Sequence, residues 1–290
     1  MTKKYINDVL SILEKSNQKI YKSADLSDIF SDLMDQGKLP KGLSVANFIN
    51  KILDNTDLRE VNLPFPNRTE KRYVLNDYSI YGLAISLRKG AYFSHLSAAY
   101  LNGFLSESPR EIYINYEQTP KPLPKQTLVQ ENIDKAYKNS PRETKTKVNF
   151  ENYAISILNG KYTNQLGVIN IPTPQGEILR VTDVNRTLID LVVRPIYSGG
   201  VANVIRIYKK ASNSLSIPKL IDLLSKLKYI YPYHQNLGFY LERTGVFKKK
   251  DLECIKKIGI EYEFYLTHDI QKLKYSSEWH IYYPEELDSE

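Results

Sequence analysis

Apolar residues recur with the period of an α-helix in three segments near the N terminus, residues 5–15, 23–34 and 44–54. The apolar face of the third segment consists of Val45, Phe48, Ile49 and Ile52. Its opposite face is polar and consists of Ser44, Asn47, Asn50 and Lys51. We therefore expect three helices that pack through their apolar faces and leave one polar face exposed.

Two segments with strand character follow these helices. Residues 58–63 and 71–75 can pair, and the intervening sequence PFPNRTE contains turn-forming residues and positive charge. Three helices followed by a basic hairpin predict a winged helix-turn-helix domain over residues 1–78, with its third helix in the major groove of double-stranded DNA. The predicted DNA-binding residues are Lys41, Ser44, Asn47, Asn50, Lys51, Asn67, Arg68, Lys71 and Arg72.

The charge of the chain supports a DNA partner only weakly. The formal net charge is +7, but residues 1–78 contain 12 Lys and Arg against 11 Asp and Glu. Any DNA contact must therefore come from a local surface and not from a basic tail. A small helical bundle remains the alternative, because the connection over residues 34–44 is longer than the turn of a compact helix-turn-helix.

Helix and strand patterns are mixed in residues 79–290, which predicts a second, mixed α/β domain and an α+β protein overall. A helix over residues 77–89, capped by Asp77, would join the two domains. Further helices are predicted at residues 94–101, 184–193, 201–211, 216–228, 232–244 and 249–257. Strands are predicted at residues 111–116, 148–153, 166–171, 177–181, 261–267 and 278–283. Prolines predict an extended segment over residues 119–125, and residues 172–176 a turn.

Residues 180–200, RVTDVNRTLIDLVVRPIYSGG, form a distinctive strand, helix and turn pattern. Asp183 can cap the helix, and Arg194-Pro195 ends it. Arg186 and Asp190 lie one turn apart and predict an exposed opposite-charge pair on that helix.

Five ordered segments resemble the AbiEi-like antitoxins, which are predicted transcriptional regulators of viral-defence loci. The segments are AYFSHLSAAYLNGFLSESPREIYI at 91–114, QENIDKAYKNSPRET at 130–144, GKYTNQLGV at 160–168, TDVNRTLIDLVVRPIYSGG at 182–200 and NLGFYLE at 236–242. The resemblance implies an antitoxin of a type IV toxin–antitoxin system, which opposes a nucleotidyltransferase toxin and represses its own promoter. It places an antitoxicity surface at Arg180, Arg186, Asp190 and Arg194.

The composition favours a cytoplasmic protein without a membrane span. No run approaches the roughly 18 apolar residues that a span requires, and the first ten residues lack the apolar centre of a signal peptide. Cys254 is the single cysteine, which excludes an internal disulfide and any site with several cysteine ligands.

Candidate catalytic residues do not form a known motif. The histidines His95, His234, His268 and His280 are widely separated, and Ser198 lacks the flanking pattern of a hydrolase nucleophile. We therefore expect no enzyme activity, no metal and no cofactor. Glu261 and Glu263 leave one alternative open, a nuclease-like enzyme of a defence locus with these carboxylates in its site. A DNA-binding regulator without a toxin to oppose is the other alternative.

Overall fold

The computed structural model describes residues 2–16, 18–122, 127–173 and 176–288. Parts of the predicted extended segment (residues 123–125) and of the predicted turn (174–175) lie outside the described residues. The chain divides into a first compact unit, Met1–Gly90 with Thr146–Ile155 and Asn170–Leu179, and a second, Ala91–Lys145 with Ser156–Ile169 and Arg180–Glu290. Helices and strands occur in both, so the predicted α+β class is confirmed. The predicted boundary between residues 78 and 79 stays a prediction.

The first unit begins with three helices and a hairpin. Its elements in chain order are α1 (Thr2–Lys15), β1 (Ile20–Tyr21), α2 (Ser23–Asp35), α3 (Val45–Asn55), β2 (Arg59–Phe65), β3 (Arg68–Val74) and α4 (Ile80–Ser86). The strands form an antiparallel sheet in the order β1-β3-β2. The apolar faces of the first three helices meet in one core, and its fully buried members include Val9, Leu26, Leu33, Phe48 and Ile52. Each such side chain contributes about 1.5–3 kcal/mol to folding through the area it removes from water.

The helix N-termini of the first unit differ in part from the predicted caps. Ser44 caps α3 as expected, because its Oγ accepts a hydrogen bond of 3.3 Å from the Asn47 amide. The helix predicted from residue 77 instead begins at residue 80, where Ser79 accepts from the Gly82 amide at 2.8 Å. Asp77 does not cap it, since its carboxylate forms an ion pair with Lys19.

The β2–β3 hairpin is longer than the sequence pattern predicts. Strand pairing continues to Phe65 and Arg68, so that only Pro66 and Asn67 remain in the turn. Pro64 is tolerated within β2 because this strand lies at the edge of its three-stranded sheet, where a missing N–H need not interrupt a ladder.

The remaining elements form two further sheets and a group of helices. In chain order they are β4 (Tyr92–Phe93), α5 (His95–Leu101), β5 (Glu111–Glu117), α6 (Gln130–Tyr137), β6 (Lys147–Phe150), β7 (Tyr153–Gly160), β8 (Val168–Pro172), β9 (Ile178–Thr182), α7 (Val184–Val193), α8 (Val201–Ala211), α9 (Ile217–Leu227), α10 (Tyr233–Arg243), α11 (Lys249–Lys256), β10 (Phe264–Tyr265), β11 (Leu273–Ser276) and β12 (Ile281–Pro284). One sheet has the order β6-β7-β5-β4-β9-β8, and the other has the order β10-β12-β11.

Three predicted strands are wrong in extent. The strand predicted over residues 278–283 begins only at Ile281, because residues 277–280 form a turn. The strand predicted over residues 148–153 is two strands, β6 and β7, because the chain turns at Glu151, which has a left-handed φ of 51°. The strand predicted over residues 261–267 is reduced to Phe264–Tyr265. The backbone N–H and C=O of Glu263 both bond to the side chain of Gln130, at 3.0 and 2.8 Å, and so do not join a strand ladder.

Helix α7 lies at the centre of the second unit. Its side chains from residue 186 to residue 192 are all buried, and the helix packs against α5, α8, α9 and α10. Leu188, Ile189 and Leu191 are completely inaccessible to solvent. Because this helix is buried on every side, its polar residues need hydrogen-bond partners inside the protein. Within the described ranges, no helix is both long enough and apolar enough to cross a membrane.

Candidate functional site

The second unit contains a pocket of about 610 Å³. This volume lies within the range of small-molecule binding sites. Basic, aromatic and small polar side chains line it, and the lining includes Ser94, His95, Tyr137, Arg142, Lys161, Arg186, Asp190, Arg194, Tyr229, Tyr231, Tyr233 and His268. These residues come from widely separated parts of the chain, so the fold assembles the pocket.

Arg186 and Asp190 form a buried ion pair at the pocket. Arg186 Nε donates to Asp190 Oδ1 at 2.8 Å, and the side chains are only 4% and 6% exposed. The prediction of an exposed pair is therefore wrong, because α7 is covered on all sides. Arg186 Nη1 also donates to the carbonyl of Leu166 at 2.6 Å and to Thr163 Oγ1 at 3.3 Å. The pair thus connects α7 to the loop before β8.

One oxygen of this pair has no partner. Asp190 Oδ2 is buried, and no hydrogen-bond donor among the described residues reaches it. Burial raises the pKa of the Asp190 carboxyl, although the positive charge of Arg186 opposes that shift. A buried acceptor without a donor costs free energy that a bound ligand could recover.

Local sequence features hold Arg186 in place. Asp183 Oδ1 accepts from the Arg186 amide at 2.7 Å and begins the helix, as predicted. Gly167 has a φ of 76°, and a Cβ at this position would lie 2.8 Å from the Cβ of Arg186. Glycine therefore allows the loop to lie directly against the ion pair.

His95 lines the pocket as an uncharged imidazole. Burial, reinforced by the charges of Arg194 and Arg186, lowers its pKa to about 3. Its Nδ1 lies 2.8 Å from Ser94 Oγ, and its ring meets Tyr197 edge-on at a centroid distance of 5.5 Å. At neutral pH the ring can therefore donate or accept one hydrogen bond without adding charge.

Aromatic rings form another part of the pocket lining. Tyr229 and Tyr231 are half-buried, and their ring centroids lie 5.4 and 6.1 Å from that of Tyr233. Tyr137 stacks on His268 at 4.2 Å and meets Tyr231 edge-on at 5.6 Å. These five residues, here called the aromatic wall, contact one another and all line the pocket.

Three further cations lie around the pocket. Arg142 and Arg194 are exposed, and no acidic partner among the described residues pairs with either. Lys161 Nζ donates to the carbonyls of Leu227 and Lys228 and lies 5.4 Å from the ring centroid of Tyr229. Among the described residues, Asp190 is the one acidic residue in the lining, so this part of the chain gives the pocket an excess of positive charge.

The predicted antitoxicity residues are only partly brought together. Arg186, Asp190 and Arg194 all line the pocket, whereas Arg180 does not. Arg180 instead donates to the side chain of Gln165 and, at 3.5 Å, to the carbonyl of Ala91.

Sequence reasoning missed the aromatic wall and the roles of His95 and Lys161. The alternation of tyrosines at 229, 231 and 233 is a visible signal. It predicts ring side chains on a common side, but their proximity to Arg186 is apparent only in the fold.

The predicted DNA-binding helix face lies on the first unit. Ser44, Asn47 and Asn50 are exposed, and Lys51 is half-buried. Lys41 is exposed in the segment before the helix. The amide side chain of Asn47 makes no hydrogen bond within the described residues, so it remains available to a partner.

The hairpin presents fewer free charges than its sequence suggests. Asn67 is exposed in the turn. Arg68 donates to Glu70 Oε1 at 2.6 and 2.8 Å, and Lys71 pairs with Glu60 at 2.8 Å. The side chains of Arg68 and Lys71 are still 41% and 45% exposed, so both can exchange these partners for a phosphate.

Arg72 differs from the other predicted DNA-binding residues. It is 5% exposed, and its guanidinium donates to Glu70 at 2.8 Å and to both the hydroxyl and the carbonyl of Ser86 at 3.0 Å. These bonds tie β3 to α4. The Arg72 guanidinium is therefore engaged within the first unit, and contact with a phosphate would require it to leave these bonds.

The glutamates of the nuclease-like alternative do not lie on one strand. Glu261 and Glu263 are exposed and precede β10. A carboxylate oxygen of Glu263 accepts from the hydroxyl of Tyr282 at 2.8 Å. Across the described ranges, no three His, Cys, Asp or Glu side chains are grouped so that they could hold a metal ion.

Comparison with known proteins gives a likeness of fold. No protein-family model matches the chain, and no curated protein matches its sequence. The crystal structure of the RV2827C protein from Mycobacterium tuberculosis is similar, with a TM-score of 0.60 and 16% sequence identity. The similarity covers 95% of this chain and 89% of that chain. The two proteins therefore share an α+β fold over nearly their full lengths.

Proposed function

We propose that the chain is a cytoplasmic antitoxin that also represses its own promoter. In this proposal the first unit contains a winged helix-turn-helix that binds double-stranded promoter DNA, and the second unit opposes a nucleotidyltransferase toxin. The chain acts by binding and is not itself an enzyme. The observation that carries the DNA-binding part is the exposed polar face of α3, opposite a face that is packed into the core. The antitoxin part is supported by the resemblance of the five sequence segments.

The side chains of α3 suit the major groove. Asn47 and Asn50 are exposed amides, and an asparagine can donate to and accept from the edge of an adenine at the same time. Phe48 and Ile52 are fully buried on the opposite side. Because these two residues anchor the helix, its polar face has a fixed direction in which to meet a base edge.

The hairpin supplies phosphate contacts in this proposal. Arg68 and Lys71 are both more than 40% exposed, and each forms an ion pair with a carboxylate of the same hairpin. Arg68 also lies 5.2 Å from the ring centroid of Phe65. Exposed ion pairs contribute about 0–1 kcal/mol, so a phosphate can compete for either cation. Such contacts position the protein on the duplex but do not read its sequence.

Fluorescence anisotropy with a labelled promoter duplex and an unrelated duplex tests the DNA-binding part. Asn47→Ala should cost roughly 1–3 kcal/mol on the promoter and little on the unrelated duplex. Arg68→Ala should weaken binding to both duplexes about equally and reduce the salt slope by about one. Asn76→Ala, an exposed asparagine outside α3 and the hairpin, is the matched control.

Unchanged DNA binding by both variants would contradict this assignment. If Asn47→Ala and Arg68→Ala bind both duplexes as the unchanged protein does, while retaining its unfolding transition, the surface formed by α3 and the hairpin does not contact DNA.

A further inference from the structure

We propose that the pocket of the second unit binds a nucleoside monophosphate, with its base against the aromatic wall and its phosphate at Arg142 and Arg194. This binding goes beyond the proposed function, since it involves neither promoter DNA nor the toxin. Three separate properties of the pocket lead to it: an unpartnered buried acceptor, several aromatic rings and an excess of positive charge.

The unpartnered acceptor, Asp190 Oδ2, favours a ligand that carries N–H donors. Asp190 is 5% exposed and lines the pocket, yet its Oδ2 has no donor among the described residues. Arg186 Nη2 likewise makes no hydrogen bond to any described residue, while Nε and Nη1 of the same guanidinium are both engaged. An unpartnered acceptor and an unpartnered donor thus belong to one ion pair, whose side chains are joined by the 2.8 Å bond between Nε and Oδ1. The hydrogen-bonding edge of a nucleobase carries the complementary pair of groups.

The aromatic wall favours a planar ring in the ligand. Tyr229 and Tyr231 are half-buried and line the pocket, and both contact Tyr233. Every nucleobase has a π-face that stacks on such rings, whatever its sequence identity. An acidic peptide would use the positive charge of the pocket but would leave these rings without a matching partner.

The cations favour a phosphate. Lys161 is already held by two backbone carbonyls, so Arg142 and Arg194 are the exposed cations best placed to bind a further anion. Arginine presents paired N–H donors that match phosphate oxygens. His95 adds no charge to the pocket at neutral pH, because burial lowers its pKa to about 3, so the excess positive charge comes from the arginines and Lys161.

Isothermal titration calorimetry on the full chain tests this proposal with AMP, GMP, CMP and UMP, and with inorganic phosphate and guanosine as partial ligands. At least one nucleotide should bind about tenfold or more tightly than phosphate and guanosine, because only the whole ligand uses both ends of the pocket. Arg194→Gln and Tyr231→Leu should each weaken that binding about tenfold or more. Arg206→Gln, an exposed arginine on α8 outside the pocket lining, should bind unchanged.

Asp190→Asn addresses the base directly, because it replaces an acceptor with an amide that can also donate. This variant should change the order of preference among the four nucleotides, and its circular dichroism shows whether it remains folded. If it unfolds, Arg194→Gln and Tyr231→Leu still decide the question, since both side chains lie at least partly in solvent. Absence of nucleotide binding, or binding that neither Arg194→Gln nor Tyr231→Leu weakens, would overturn the proposal.

Discussion

Removal of one partner of the Arg186–Asp190 pair should severely destabilise the second unit. In Arg186→Met, the Asp190 carboxylate loses its 2.8 Å donor and remains in a position where it is only 6% exposed. The carbonyl of Leu166 loses its 2.6 Å donor as well. Breaking a buried pair in this way costs about 3–5 kcal/mol, whereas an exposed pair at the same spacing contributes about 0.3–0.5 kcal/mol.

The chain provides both a local reporter and a matched control for this measurement. Trp279 is the single tryptophan, and it is fully buried in the second unit. Urea unfolding followed by its fluorescence therefore reports on that unit. Lys226→Met breaks another pair at i, i+4, with Asp222, in which both side chains are more than half exposed. It should cost no more than about 0.5 kcal/mol.

The pH dependence gives a second signature of the unpaired carboxylate. Burial already raises the pKa of Asp190, and loss of Arg186 should raise it further. A raised native pKa means that the native state binds more protons than the unfolded state, so stability falls as pH rises through that range. The defect of Arg186→Met should therefore be smaller in mildly acidic buffer than at neutral pH. Equal costs for Arg186→Met and Lys226→Met at neutral pH would refute the view that burial makes this pair important.

Two further predictions concern the packing and protonation of the second unit. In Gly238→Ala the new Cβ would overlap the ring of Trp279. The free energy of unfolding should therefore fall by about 1–3 kcal/mol, and the tryptophan emission should shift to longer wavelength. An unchanged emission maximum would contradict this packing. In the native state His95 has a pKa of about 3, far below its ordinary 6.5. Between pH 3 and pH 6.5 the unfolded state therefore binds more protons than the native state. The stability of the protein should fall as the pH decreases below 6.5. His95→Gln should reduce this loss in urea unfolding between about pH 7 and pH 5, and an identical loss in both proteins would contradict the neutral buried imidazole.

Local features of the fold could be predicted wherever a few neighbouring residues decide them. The orientation of α3 follows from its apolar spacing, and Ser44 and Asp183 cap their helices because capping depends on the next three residues. The failures come from distant partners. Asp77 forms an ion pair with Lys19 and does not cap a helix. The Glu263 backbone forms hydrogen bonds with the Gln130 side chain and does not join a strand.

The candidate pocket could be predicted only in part. The i, i+4 spacing of Arg186 and Asp190 correctly indicates that they pair, but their burial depends on helices that pack around α7 from later in the chain. His95, Lys161 and Tyr229 are separated by more than sixty residues from one to the next. No local pattern links them, and the packed fold alone places them around one cavity.

Repression and toxin protection, measured in the same cells, separate the two proposed functions of the chain. The cells carry a reporter under the chain's own promoter and the gene of the nucleotidyltransferase toxin that the chain is proposed to oppose. They express either the unchanged chain or the variant that combines Asn47→Ala with Arg68→Ala. Both substitutions lie on exposed positions of the first unit, so the variant should fold normally. We expect the variant to lose repression and still to protect the cells from the toxin. Full repression by the variant, or loss of protection together with repression in a normally folded protein, would contradict this expectation.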